Sequence, residues 1–122
     1  MEVGGGVAVV EKYKEGIAEM LLDFRPNAYC AWPSREAAIR EVEESLGSDK
    51  KRISLVAIED GEVIGWIAGF QTYSHAFEIH PVVVRFERQG RGAGRALVDE
   101  FCRKAGEMGA LTVYLGLSLI HI

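Results

Sequence analysis

The sequence predicts an α/β chain of the α+β type, with one mixed, mostly antiparallel sheet and helices on its flanks. Three observations carry this. Residues 78–115 read as strand, glycine-rich turn, helix and strand, the order of a βαβ unit. Asp60-Gly61 between two apolar runs is the strongest hairpin signal in the chain. Upstream, two stretches carry apolar residues at helical spacing. A chain of 122 residues with 48% hydrophobic content is expected to be one domain with enough apolar material for a core.

In order, Gly4-Gly-Gly6 reads as a flexible start and Val7 to Val10 as a first strand. Ile17, Met20, Leu21 and Phe24 recur at helical spacing until Pro26 stops the helix. Asn27 to Pro33 is a loop carrying Tyr29, Cys30 and Trp32, and Ser34 is a helix N-cap opening an acidic helix to Leu46. Ile53 to Glu59 and Val63 to Phe70 are the hairpin strands, and Gly65 and Gly69 in the second imply close packing or a bulge. Tyr73-Ser-His75 turns the chain into a strand over Phe77 to Val84. Leu97, Val98, Phe101, Cys102 and Ala105 mark a helix that begins after Gly94, and Ala110 to Leu115 is the next strand.

No apolar run approaches bilayer-spanning length, and Met1 is not followed by a basic and then apolar signal pattern. A cytoplasmic protein is expected, without membrane or nucleic-acid partners. Cys30 and Cys102 lie far apart with no Cys-x-x-Cys or His-rich spacing, so both are expected to be reduced and structural, with no metal.

The glycine-rich turn sits at a helix N-terminus, where the first backbone N–H groups have no internal partner and the peptide dipoles favour an anion. Gly90, Gly92 and Gly94 remove the Cβ atoms that would keep a phosphate from those donors. Residues 85–104 hold six bases, Arg85, Arg88, Arg91, Arg95, Arg103 and Lys104, against the acids Glu87, Asp99 and Glu100. That local excess draws an anionic ligand to the loop, and the acidic remainder suits a cationic one. No Gly-Lys-Ser/Thr follows the glycines, and they alternate as Gly-x-Gly-x-Gly. Neither a nucleoside-triphosphate loop nor a dinucleotide fold is therefore indicated.

Gln89-Gly-Arg-Gly92-Ala-Gly94 matches Gln/Arg-x-x-Gly-x-Gly/Ala. Preceded by Val-Val and followed by Arg-Ala-Leu-Val, it resembles the acetyl-CoA signature of the GNAT N-acetyltransferase superfamily. The resemblance covers nearly all of residues 7–116 and implies a GNAT acyl-CoA N-acyltransferase fold lacking its final helix and strands. It implies acetyl-CoA as donor, its diphosphate held by Gln89, Gly90, Arg91, Gly92, Ala93, Gly94 and Arg95. The pantetheine arm is then expected to pair with the backbones of Val82, Val83 and Val84, and a main-chain N–H near Val84 to stabilise the oxyanion. One departure is Phe86, where the pattern usually has proline.

Direct attack by an amine needs a base. Glu78 and His80 alternate along the strand before the loop and share a face, so either can serve. Trp32-Pro33 before an acidic helix, Tyr73, and Glu-x-His-Pro before Val-Val together look like aminoglycoside 6'-N-acetyltransferases. That implies a small cationic amine acceptor gripped by Trp32 and Tyr73. Trp32 as a hydrophobic plug, and Glu36, Glu41, Glu43 and Glu44 as a solvated helix face, are the alternatives. Acetylation of a peptide or protein amine, a non-catalytic CoA-binding module and homodimerisation stay open.

The segment Leu117-Ser-Leu-Ile-His-Ile122 is what CTG-TCT-CTT-ATA-CAC-ATC encodes, a sequence that looks like the transposon end used to fragment DNA for sequencing libraries. The domain is accordingly expected to comprise 1–116, cut short after its fifth strand, with 117–122 a non-native tail.

Overall fold

A computed structural model describes residues 1–23, 25, 32–115 and 120–121. The sequence expectations for Phe24, Pro26, Tyr29, Cys30 and residues 117–119 lie outside that set. The strands are β1 (Glu2–Gly5), β2 (Arg52–Glu59), β3 (Glu62–Tyr73), β4 (Ala76–Val84), β5 (Thr112–Leu115) and β6 (Ile120–His121). The sheet order is β1-β2-β3-β4-β5, with β1 to β4 antiparallel, β5 parallel to β4, and β6 also parallel to β4 further along. Helices α1 (Val7–Lys12), α2 (Lys14–Leu21) and α3 (Arg35–Glu44) cover one face, and α4 (Ala93–Glu107) covers the other. This is the mixed, mostly antiparallel sheet with flanking helices that the sequence predicts.

The first strand is a correction. Val7–Val10 is helical, and the strand is the preceding Glu2–Gly5, so the triple glycine is not a flexible start. Gly5 pairs with Leu55 so closely that a Cβ there would lie 2.7 Å from the Ser54 carbonyl oxygen. Only glycine lets the edge strand approach. Gly6, at φ 102°, then turns the chain into α1, where Val10 is the buried residue.

The hairpin and the cap form as expected. Asp60 and Gly61 have φ of 53° and 75°, the pair of left-handed residues that a two-residue turn between twisted strands requires. Ser34 Oγ accepts from the Ala37 N–H at 3.2 Å, satisfying a donor that the start of α3 would otherwise leave open.

Buried polar groups tie the α3 end to the sheet. Trp66, fully buried, donates its indole N–H to Ser54 Oγ at 2.9 Å. Ser54 and Ser45 are 3.0 Å apart, and Ser45 donates to the Val42 carbonyl, so the proton between the two hydroxyls comes from Ser54. Ser54→Ala would strand the indole N–H inside the core. We expect a loss of about 1–3 kcal/mol in urea unfolding, with the m-value unchanged; no loss would show that the indole has another acceptor.

In α4 the buried stripe is Ala93, Gly94, Leu97, Phe101 and Ala105. Cys102 lies off that stripe and is exposed, which corrects its placement on the apolar face. A residue one step beyond Phe101 is turned about 100° from it.

Candidate functional site

The loop between β4 and α4 has the geometry an anion cradle needs. Gly90 and Gly92 have φ of 80° and 87°, and a Cβ built on either would meet nothing within 4 Å. Gly92 is the N-cap of α4, and the first bond of the helix runs from the Ala96 N–H to the Gly92 carbonyl at 3.0 Å. The amides of Ala93, Gly94 and Arg95 therefore precede the hydrogen-bonded ladder and face the loop. The helix begins at Ala93, two residues earlier than the apolar spacing suggests.

The charge around the loop is narrower than residue counting implies. Arg85 pairs with Glu19 at 2.6 Å and donates to the Val63 carbonyl at 3.1 Å, with its side chain 14% exposed. Arg88 pairs with Glu59 at 3.1 Å, and Arg103 with Glu107 at 2.7 Å. Arg91 and Arg95 are exposed at the cradle, and Arg95 touches Asp99 only at 3.9 Å. Among the described residues, these two are the cations open to a ligand there.

Arg25 approaches from the α2 side. Its guanidinium lies 4.4 Å from the centroid of Phe86 and 2.8 Å from Glu87, and its hydrogen bond to Asp23 holds that carboxyl below the usual carboxylate range. Phe86, the departure from the expected proline, is thus pinned by stacking.

Strand β4 carries a β-bulge at its middle. Ile67 faces Val82 while Gly69 faces Ile79, so two steps of β3 oppose three of β4. The bulge changes which face each half presents. Before it, Phe77 and Ile79 belong to the core under α4, which sends Glu78 and His80 toward α3. After it, Val82 and Val84 join the α4 core and Val83 the other. All three valines are at most 1% exposed, so what they offer a ligand is backbone.

The direction of that backbone follows from one bond. The Arg85 N–H donates to the Ile64 carbonyl at 2.7 Å, toward β3, so by alternation the Val84 and Val82 groups face the opposite edge. There the Gln89 side chain donates to the Val84 carbonyl at 3.3 Å, tying loop to strand. Along the same edge β5 pairs with Ala76 to Ile79, and β6 partners Val82 and Val83.

Glu78 and His80 are both half-buried on the α3 side. His80 lines a cavity of about 270 Å³ with Glu41 and Glu44 of α3 and Phe70 of β3. Glu41 and Glu44 thus border a cavity, while Glu43 reaches Lys14 at 3.5 Å. Trp32 is 5% exposed and belongs to the core that holds Val10, Ile17 and Val42, the burial that a hydrophobic plug calls for. Tyr73, 73% exposed at the β3–β4 turn, is separate from that cavity. Although exposed, Cys102 is partly desolvated by its surroundings, and this together with the charge of Asp99 pushes its thiol pKa up. The sequence reading missed Phe70 and Lys50 at the cavity, and Tyr114, which pairs with Glu78 across β4–β5 and donates to Thr72 Oγ1 at 2.9 Å.

Fold and loop together define a class: an α+β domain that sets a glycine-opened helix N-terminus beside a bulged strand. Residues 7–119 match the acetyltransferase (GNAT) family, and the chain belongs to it. Among solved structures, an aminoglycoside 6'-N-acetyltransferase complexed with coenzyme A is similar at 25% identity and TM-score 0.77, over 95% of this chain and 61% of that one. The aminoglycoside 6'-N-acetyltransferase from Enterococcus faecium is similar at 24% identity and TM-score 0.75, over 94% and 61%. A ribosomal-protein-alanine N-acetyltransferase from Brucella melitensis biovar Abortus shares the fold at 16% identity and TM-score 0.67, over 94% and 78%. The chain thus spans about three fifths of the length of the first two. No curated protein sequence matches. Among the described residues, no helix is long and apolar enough to cross a membrane.

Proposed function

We propose that the chain belongs to an acetyl-CoA-dependent N-acetyltransferase of the cytoplasm. Its acceptor is a primary amine on a small cationic molecule of the aminoglycoside kind. The observation that carries this reading is the cradle: open, left-handed Gly90 and Gly92, the free amides of Ala93 to Arg95, and exposed Arg91 and Arg95. These residues fit a diphosphate. When bound, acetyl-CoA supplies an acyl group on a thiol leaving group.

The chain's own residues do the rest. The outward N–H groups of Val82 and Val84 lie on the edge that would meet the pantetheine arm, and either can donate to an oxygen that gains charge as the amine attacks. Gln89, by holding the Val84 carbonyl, keeps the spacing between cradle and edge. Either Glu78 or His80, on the neighbouring face, accepts the proton that an ammonium must lose before it is a nucleophile. The two-residue β6 lies along Val82 and Val83, so the arm enters by displacing it.

Glu78→Gln and His80→Gln separate a catalyst from a binding module. In a thiol-release assay with acetyl-CoA and neamine, at least one is expected to lose about 100-fold or more in kcat. Coenzyme A affinity by calorimetry is expected to stay within about twofold, since neither side chain joins the cradle. Unchanged kcat in both variants and in the double variant would remove the base from this strand. No turnover in any form, with coenzyme A still bound, would leave only a binding module.

A further inference from the structure

The cavity beside His80 contains a feature that the amine chemistry alone does not call for. Phe70 stands in a cross-strand row, paired with Arg52 on β2 and with Glu78 on β4, and its ring is on the α3 side with theirs. Two of the chain's own cations sit over it. Lys50 Nζ is 4.8 Å and the Arg52 guanidinium 5.8 Å from the ring centroid.

The two cations differ in what holds them. Arg52 donates twice to Asp49, at 3.0 and 3.1 Å, and its side chain is 18% exposed, so it is a fixed wall of the cavity. Lys50 is exposed and, among the described residues, has no ion pair; the ring is what its ammonium rests on. It is also the nearer of the two. Glu41 and Glu44 border the same space, which adds negative potential around a position already chosen by a cation.

We propose that the face of Phe70 is an ammonium subsite of the acceptor site and that Lys50 is its internal occupant. An acceptor with two or more amines displaces Lys50, seats one ammonium on the ring and presents a second amine to His80 and Glu78. The substrate class is then a di- or polyamine, not a molecule with a single amine. The proposal rests on the acetyltransferase reading for the identity of the reacting amine, but the subsite itself is a binding claim.

The test uses the full chain and neamine, titrated calorimetrically with and without saturating coenzyme A, and coenzyme A titrated alone. Lys50→Met keeps the apolar stem and removes the competitor; Phe70→Leu keeps an apolar surface and removes the ring. Neamine is expected to bind Lys50→Met about two- to fivefold more tightly, and Phe70→Leu about two- to fivefold more weakly, than the unaltered chain. Coenzyme A affinity is unchanged in both. Lys50→Met is at an exposed position, so its result stands even if Phe70→Leu folds poorly.

Neamine affinity that is unchanged or weaker in Lys50→Met overturns the subsite. So does an absence of neamine heat in every form. If coenzyme A gives no heat while the neamine series behaves as stated, the acetyltransferase reading fails and the ammonium subsite survives.

Discussion

Gly92→Asp is expected to weaken coenzyme A binding by more than about 100-fold while the fold survives. Gly92 sits at φ 87° as the N-cap of α4, and a Cβ there meets nothing within 4 Å, so the backbone can accept a residue that tolerates the left-handed region. Aspartate is such a residue, and its carboxylate at a helix start accepts from the free amides that a diphosphate needs. It also brings a like charge to the ligand: at about 4 Å and an effective dielectric of 20, one pair of unit charges costs about 4 kcal/mol. Gly92→Asn, which brings the side chain without the charge, is expected to lose less. Calorimetry with circular dichroism as the folding control decides it, and an aspartate variant within tenfold of the parent would show that the diphosphate lies elsewhere.

Gly69→Ala is expected to be the most destabilising single methyl that can be added to the sheet. A Cβ at this position would overlap the Glu78 carbonyl oxygen and come within 2.5 Å of Phe101 Cζ. One obstacle is backbone and the other is the fully buried ring that seats α4, so neither can yield cheaply. The expected loss is about 3 kcal/mol or more, large against a total of about 5–15 kcal/mol for a domain. Because Gly69 faces Ile79 just before the bulge, the strain also falls on the strand that carries Glu78 and His80. Denaturant unfolding with the Gly65→Ala variant alongside measures this. At Gly65 the nearest atom is the end of a Leu97 side chain at 2.9 Å, so a smaller loss is expected there. Equal, small losses at both would mean that the sheet relaxes freely.

What the sequence made legible was local. Asp60-Gly61 specifies its turn by two backbone conformations, Ser34 caps the next helix three residues away, and the glycine run opens α4 by removing side chains. Each signal acts within a few residues of itself. The errors concern partners far along the chain. Val7–Val10 has strand-forming residues, but the edge strand is the glycine-bearing Glu2–Gly5, chosen because it fits against Ser54 and Leu55. Arg85 and Arg88 look like ligand cations until Glu19 and Glu59 arrive from other elements.

The candidate site divides the same way. The cradle lies within one short segment and could be read directly, as could the shared face of Glu78 and His80. Phe70 could not: its pairing with Arg52 depends on a register shift between Ala57 and Ile58 that no turn residue announces. Trp32 carries no local sign of burial; it is core because the chain folds it into the cluster that holds Val10, Ile17 and Val42.

The extra residue in β4 separates the strand into two stretches whose alternation is counted independently. Changes to residues 76–80 redraw the face turned toward α3, yet they leave the phase of 82–84 untouched. Under the proposed function, acceptor preference can therefore drift by ordinary point substitution in the first stretch while the backbone edge of 82–84 stays in place.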